Sequence, residues 1–248
     1  EKYDLVLNDF EHITSAACAR KKIPSVHFGH QASFQSPHTP RPAKQSLAGE
    51  WLLKNYVKAT HNVGLHFTRY DDFIFPAIVK KEILDAEPAD HGYIVVYLPS
   101  YCRPRLRALF FPVRDVRFRI FTHEVKKPEQ EGHILFMPVN KQLFSTSLIH
   151  GTGIISGGGF ETPAEALHLG KKIMAIPIRG QYEQLCNTEA LKKLGVTCLL
   201  KPGEHFRELF YEWLTAPAPE RIDYSGSIGF SLNHIFRLAE SRCSMPAA

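Results

Sequence analysis

Strand-length apolar runs recur between helix-forming segments for about a hundred residues, and few folds accept that alternation. From Tyr93 the chain runs YIVVYL (93–98), a helix near 103–111, VRFRIF (116–121), HILFMPV (133–139), the helical KQLFSTSLI (141–149), TGIIS (152–156), a helix from Phe160, KIMAIPI (172–178), a helix over 182–194 and VTCLL (196–200). Apolar runs this short, most of them followed by a helix, suit parallel strands buried on both faces. The order predicts a doubly wound α/β domain.

The amino-terminal part repeats the theme. YDLVLN (3–8) has the pattern of a buried strand, EHITSAACARKKI (11–23) of a helix stopped by Pro24, and PSVHFGH (24–30) of the next strand. A parallel pair with its crossover helix is the natural packing. A polar, Pro-rich loop (30–42), a helix over 44–60 and a short strand VGLHF (63–67) follow. The segment DDFIFPAIVKKEILDAEPADHG (71–92) holds two prolines and predicts a connection. At 248 residues the chain exceeds one typical domain of roughly 100–200. Two domains are expected: 1–90, and 91–248 with terminal helices in 203–215 and 229–242.

Composition narrows the function classes. With 44% hydrophobic and 22% charged residues the chain is an ordinary globular protein. No apolar run approaches the ~18 residues that span a bilayer. Five cysteines, widely spaced and without a CxxC pair, argue against a zinc site or a disulfide framework and suit a reducing, cytoplasmic setting. The net charge of +5 gathers in ARKK (19–22) and in residues 103–119. Apolar residues interrupt both bunches at core-like spacing, so nucleic acid is not an expected partner.

The most specific chemistry lies in ISGGGFETPAE (155–165). Ligands of doubly wound sheets bind at the carboxyl ends of the strands. Gly157, Gly158 and Gly159 stand at such an end, where residues without Cβ admit close approach and positive φ. The first amides of the following helix lack intrahelical acceptors and suit a phosphate or diphosphate, with Thr162 as a hydroxyl donor. The plain alternative is a tight strand-to-helix turn. Glu165, six residues after Gly159, is placed to accept two ribose hydroxyls, or else is an ordinary surface carboxylate. At the end of the next strand come Gln181, Glu183 and Gln184, whose carboxylate and amides are the groups that grip sugar hydroxyls.

The succession Gly159-Phe160-Glu161-Thr162-x-x-Glu165, Gly170, Pro177, Glu183-Gln184 and Asn187 resembles the donor signature of nucleotide-sugar glycosyltransferases with the two-Rossmann-domain GT-B fold. The chain resembles the UDP-glycosyltransferases, the transferase that adds N-acetylglucosamine to the peptidoglycan lipid precursor, and most closely a bacterial and archaeal glycosyltransferase-like group. The resemblance implies two Rossmann-like domains with parallel sheets, the N-terminal one incomplete and beginning near its fourth strand. It implies that Gly157 to Thr162 hold the donor diphosphate, Glu165 the ribose, Glu183 and Gln184 (or Gln181) the transferred sugar, and Phe136 and Met137 the uracil. Two departures stand out: the histidine that often precedes the glycine turn is absent, and the acid–Gln pair lies two residues farther from Pro177 than in the plant pattern.

The implied activity is that of a hexosyltransferase. A sugar passes from a UDP-sugar, a co-substrate and not a resident cofactor, to an acceptor hydroxyl on a lipid-linked or small molecule, without a metal and with inversion. Asp9, His27 and Gln31 are candidates for the acceptor side, and Glu11 and His30 for catalysis. Peripheral association with the inner face of a membrane is an open expectation. A UDP-sugar hydrolase or 2-epimerase, and a nucleotide-sugar-binding protein without catalysis, are the alternatives.

Overall fold

The computed structural model describes residues 3–243. It divides into two compact units, residues 1–78 with 224–248, and residues 79–223.

In the first unit β1 (Val6–Asn8), β2 (Ser25–Gly29), β3 (His61–His66) and β4 (Ile74–Pro76) form a parallel sheet in sequential order. Helix α1 (His12–Lys21) crosses from β1 to β2. Its first turn is tied down by the Glu11 carboxylate, which accepts from the amides of Ile13 (2.8 Å) and Thr14 (2.6 Å). A 3₁₀ turn over Gln31–Gln35 stands where a plain loop was expected. Helix α2 (Leu47–Asn55) is shorter than the apolar pattern predicts, because the Ser46 hydroxyl accepts from the Gly49 amide and starts it there.

The second unit opens with α3 (Lys81–Leu84) and continues through β5 (Tyr93–Tyr97), α4 (Arg103–Phe110), β6 (Arg117–Thr122), β7 (Glu129–Glu131), β8 (Ile134–Pro138), α5 (Lys141–His150), β9 (Gly153–Ser156), α6 (Glu161–His168), β10 (Lys172–Ala175), α7 (Tyr182–Lys193), β11 (Thr197–Cys198) and α8 (Phe206–Thr215). The sheet order is β11-β10-β9-β5-β6-β8-β7, parallel throughout except β7. Every strand expected from Tyr93 onward is present, and apart from β7 both sheets are parallel, as the alternation predicts. Ile94, Val96, Phe118, Ile120 and Phe136 form its core with Phe110 of α4 and Phe206, Phe210 and Trp213 of α8. These last three recur at helical spacing and make the apolar stripe that seats α8. The Trp213 indole N–H donates to the Ile173 carbonyl, so its burial leaves no polar atom stranded.

Part of the basic run at 103–119 is engaged within the unit, while Arg105 and Arg114 are exposed. Arg103 pairs with Glu129 (2.7 Å) and Glu131, Arg107 with Glu131 (2.9 Å), and the Arg119 guanidinium lies 4.0 Å from the Tyr93 ring centroid.

Helix α9 (Ser227–Cys243) belongs with the first unit, whereas the sequence pattern groups both terminal helices with residues 91–248. The reason is visible at its entry. The buried Tyr224 hydroxyl donates to the Phe67 carbonyl (3.0 Å), and the His234 ring lies 5.1 Å from that of Phe75. The first boundary falls at Ile78, ahead of the expected residue 90, because Val79 and Ile83 are buried in the second unit.

Candidate functional site

Strand order locates the site before any side chain is considered. The chain runs outward from β5 through β6 to β8, then crosses back to lay β9 on the other side of β5 and continues through β10 to β11. The carboxyl ends of β5 and β9 therefore flank the switch point, where open α/β sheets bind ligands. Two cavities open at the carboxyl ends of β5 and of strands other than β9, and the glycine turn lines neither. One of about 220 Å³ is lined by residues 97–102 and 121–124, after β5 and β6. The other, about 660 Å³, brings Ser100 and Tyr101 together with residues 177–180 and with Leu200 and Lys201.

Gly157, Gly158 and Gly159 leave β9 at this point. None of the three has positive φ, contrary to the sequence expectation. Their smallness matters differently at each position. A Cβ on Gly158 would lie 2.9 Å from the Gln184 carbonyl oxygen and 3.1 Å from Thr188 Cγ2, so the turn packs directly on α7. A Cβ on Gly159 would meet nothing within 4 Å. Helix α6 starts immediately afterwards with no side-chain cap, and Pro163 removes one further amide from its first turn. The amides of Glu161 and Thr162 thus begin a helix without a carboxylate or hydroxyl partner, an arrangement that receives an anionic oxygen. Glu161 is exposed, and Phe160 and Thr162 are half-buried.

Gln184 and Asn187 hold this turn in place. Gln184 Oε1 accepts from the amides of Gly158 (3.2 Å) and Ile178 (2.9 Å), clasping the loops after β9 and β10 together. Its Nε2 donates to Gln181 Oε1 (2.7 Å). Asn187, fully buried, donates through Nδ2 to the Gly158 carbonyl (3.1 Å). The Gln184 side chain, expected to grip a sugar, and that of Asn187, part of the expected donor signature, are therefore engaged with the backbone. Gln181 is exposed just before α7, and Glu183 is half-buried in its first turn.

Glu165 is 3% exposed, on α6 one turn beyond Glu161, and its Oε1 lies 2.8 Å from Lys80 Nζ. Burial raises its pKa above the ordinary carboxylate value, and the Lys80 ammonium pulls the other way. Lys80 was hidden in the expected connection, 85 residues away in sequence, with no motif to mark it. At the end of β8 the Phe136 ring is enclosed in the core with the Arg103 guanidinium 4.6 Å from its centroid, and Met137 is buried as well. Both lie within the ladder, Phe136 opposite Ile120 of β6 and Glu129 of β7, and Met137 opposite Phe121 of β6.

In the first unit, Asp9 is exposed just past β1 and Gln31 half-buried just past β2. Glu11 is spent on capping α1, and that bonding lowers its pKa. His30 is buried with Nδ1 2.9 Å from the Leu65 carbonyl oxygen. His27 lies inside β2, fully buried and stacked on Phe10, and burial lowers its pKa to about 4. The structure therefore places His27, His30 and Glu11 in supporting positions and leaves Asp9 and Gln31 at the strand ends. Among the described residues no group of His, Cys, Asp and Glu is arranged to hold a metal ion, and no helix is long and apolar enough to cross a membrane.

The fold is shared with known proteins. Arabidopsis thaliana UGT89C1 complexed with UDP superposes with a TM-score of 0.63 at 15% identity, over 98% of this chain and 73% of that one. Phytolacca americana UGT2 complexed with UDP-2fluoro-glucose and pterostilbene gives 0.57 at 12% identity, over 95% and 74%. The spinosyn forosaminyltransferase SpnP gives 0.54 at 16% identity, over 96% and 72%. No curated protein matches the sequence. The family model described as glycosyl transferase family 1 matches residues 1–208, and with that span and this fold the chain belongs to that family, a glycosyltransferase of the GT-B type.

Proposed function

We propose that the protein transfers a sugar from a UDP-sugar to an acceptor hydroxyl, with inversion at the anomeric carbon. The observation that carries this reading is the uncapped start of α6, offered at the switch point by a glycine turn that Gln184 and Asn187 hold rigid. Sugar transfer needs a stabilised leaving diphosphate and a deprotonated acceptor. The amides of Glu161 and Thr162 would meet charge as it develops on the diphosphate, and their fixed orientation costs no reorganisation at that moment. Glu165 would accept the pentose hydroxyls, and the carboxyl end of β8, just beyond Phe136 and Met137, would face the uracil. Gln181 and Glu183 would face the sugar, while Gln184 and Asn187 act on the turn. The UDP and UDP-sugar complexes among proteins of this fold support a uridine donor.

The test is to incubate the protein with UDP-sugars, with and without acceptor extracts containing lipid-linked and small-molecule alcohols, and to measure free UDP. Release that depends on acceptor is the expected result. Release at the same rate without acceptor would identify a hydrolase, and no release with any UDP-sugar would refute the uridine donor.

A further inference from the structure

Glu165 is a carboxylate in the protein interior, and an interior charge persists only when paired. Among the described residues its partner is Lys80, through Oε1 alone. That pairing uses one oxygen of a group with about four acceptor sites. Lys80 is itself well anchored. It stands at the start of α3, which is seated by the fully buried Ile83 and by the Ser145 hydroxyl donating to Glu82 Oε1 (2.7 Å). The charged groups around this pair are Glu161 on α6 and Glu82 on α3, so the ammonium faces three carboxylates and is held on this flank of α6. Its side chain is 42% exposed, whereas that of Glu165 is 3% exposed.

We propose that Lys80 is a positioning residue for the donor's pentose: its ammonium fixes the Glu165 carboxylate through Oε1 and leaves Oε2 as the acceptor for the ring hydroxyls. Lys80 touches no substrate in this scheme and acts through Glu165. The inference rests on the assignment of Glu165 to the pentose. It carries a pH signature. Burial raises the Glu165 pKa while Lys80 opposes the rise, so removing the ammonium lifts the pKa further and the ionised acceptor is lost at a higher pH on acidification.

The experiment is calorimetric titration of UDP and of 2′-deoxy-UDP between pH 5.5 and 9 into the wild type, Lys80→Met, Lys80→Arg, Glu165→Gln and the Lys80→Met/Glu165→Gln double variant. Glu165→Gln is expected to weaken UDP about tenfold, as loss of a charge-assisted bond does, and to abolish the preference for the ribo over the deoxy nucleotide. Lys80→Met is expected to weaken UDP about fivefold at pH 7, to move the acid fall-off in affinity to higher pH, and to have no further effect in the Glu165→Gln background. Lys80→Arg restores both affinity and profile. If Glu165→Gln leaves UDP affinity unchanged, the pentose assignment itself is wrong. If Glu165→Gln weakens UDP while Lys80→Met leaves the pH profile in place, or weakens binding equally in both backgrounds, Lys80 has no positioning role and the pentose assignment survives. Should Lys80→Met not fold, Lys80→Gln, which removes the charge and keeps a hydrogen-bond donor, is titrated in its place: an acid fall-off moved to higher pH supports the proposal and an unmoved one overturns it.

Discussion

Three residues separate the demands of folding from those of binding. At Gly158 a methyl group would press on the backbone of Gln184, so Gly158→Ala is expected to destabilise the protein by about 1–3 kcal/mol, measured as a lower denaturation midpoint. At Gly159 the space is open and φ is not positive, so Gly159→Ala is expected to leave stability within about 0.5 kcal/mol of wild type. A loss of UDP affinity in that variant, at unchanged stability, would identify Gly159 as a place kept clear for ligand. Unchanged affinity would deny it that role. Glu165 supplies the third case. A carboxyl whose folded pKa is raised contributes stability below its unfolded pKa and loses it as pH rises through the folded value. At neutral pH this cost of burial is opposed by the stabilisation the Glu165 carboxylate gives Lys80, whose pKa it raises. Glu165→Gln is expected to keep the thermal midpoint at pH 7 while weakening UDP, and a markedly lower midpoint would contradict the account. The glycines and Glu165 were legible in the sequence because they form a local motif. Lys80 and the clasping roles of Gln184 and Asn187 were not, since both depend on which loops the sheet brings side by side.

At the scale of elements, long apolar segments announced themselves and short or charged ones did not. β5, β8, β9 and β10 are mainly apolar, so burial is written into them, and β6 alternates Arg with Phe and Ile before its buried end. β7 is Glu-Gln-Glu, held antiparallel at the sheet edge by Gly132, whose φ of 59° turns the chain, and by ion pairs to Arg103 and Arg107. No hydrophobic pattern could reveal it. β4 has three residues and ends in proline, which suited a connection equally well. The clasp between the loops after β9 and β10 makes a sharp prediction. Gln184→Ala removes the acceptor of two backbone amides and is expected to cost about 1–3 kcal/mol, read from urea denaturation, together with a loss of UDP affinity. Full retention of both would show that the turn keeps its shape unaided. β2 carries a pH-sensitive member, His27. With a pKa lowered from 6.5 to about 4 by burial, it is neutral when folded and takes up a proton when unfolded. Stability is therefore present above about pH 6.5 and is lost as pH falls toward 4, by up to about 3 kcal/mol. Replacing it in His27→Leu should flatten that part of the stability profile, and an unaltered slope would place the acid sensitivity elsewhere.

For the whole molecule, the α/β alternation was enough to anticipate two parallel-sheet units, and the family resemblance carried by residues 159–187 anticipated a glycosyltransferase, with which the family match over residues 1–208 agrees. The assignment of α9 was out of reach, because an amphipathic helix shows that it packs but not where. What remains is the claim that joins fold to chemistry, that the diphosphate of the donor lies on the first amides of α6. A crystal structure of the protein with UDP tests it most directly. The account predicts phosphate oxygens within about 3.2 Å of the Glu161 and Thr162 amides and the pentose hydroxyls on Glu165. Phosphates bound at another strand end, with the start of α6 left to solvent, would contradict it.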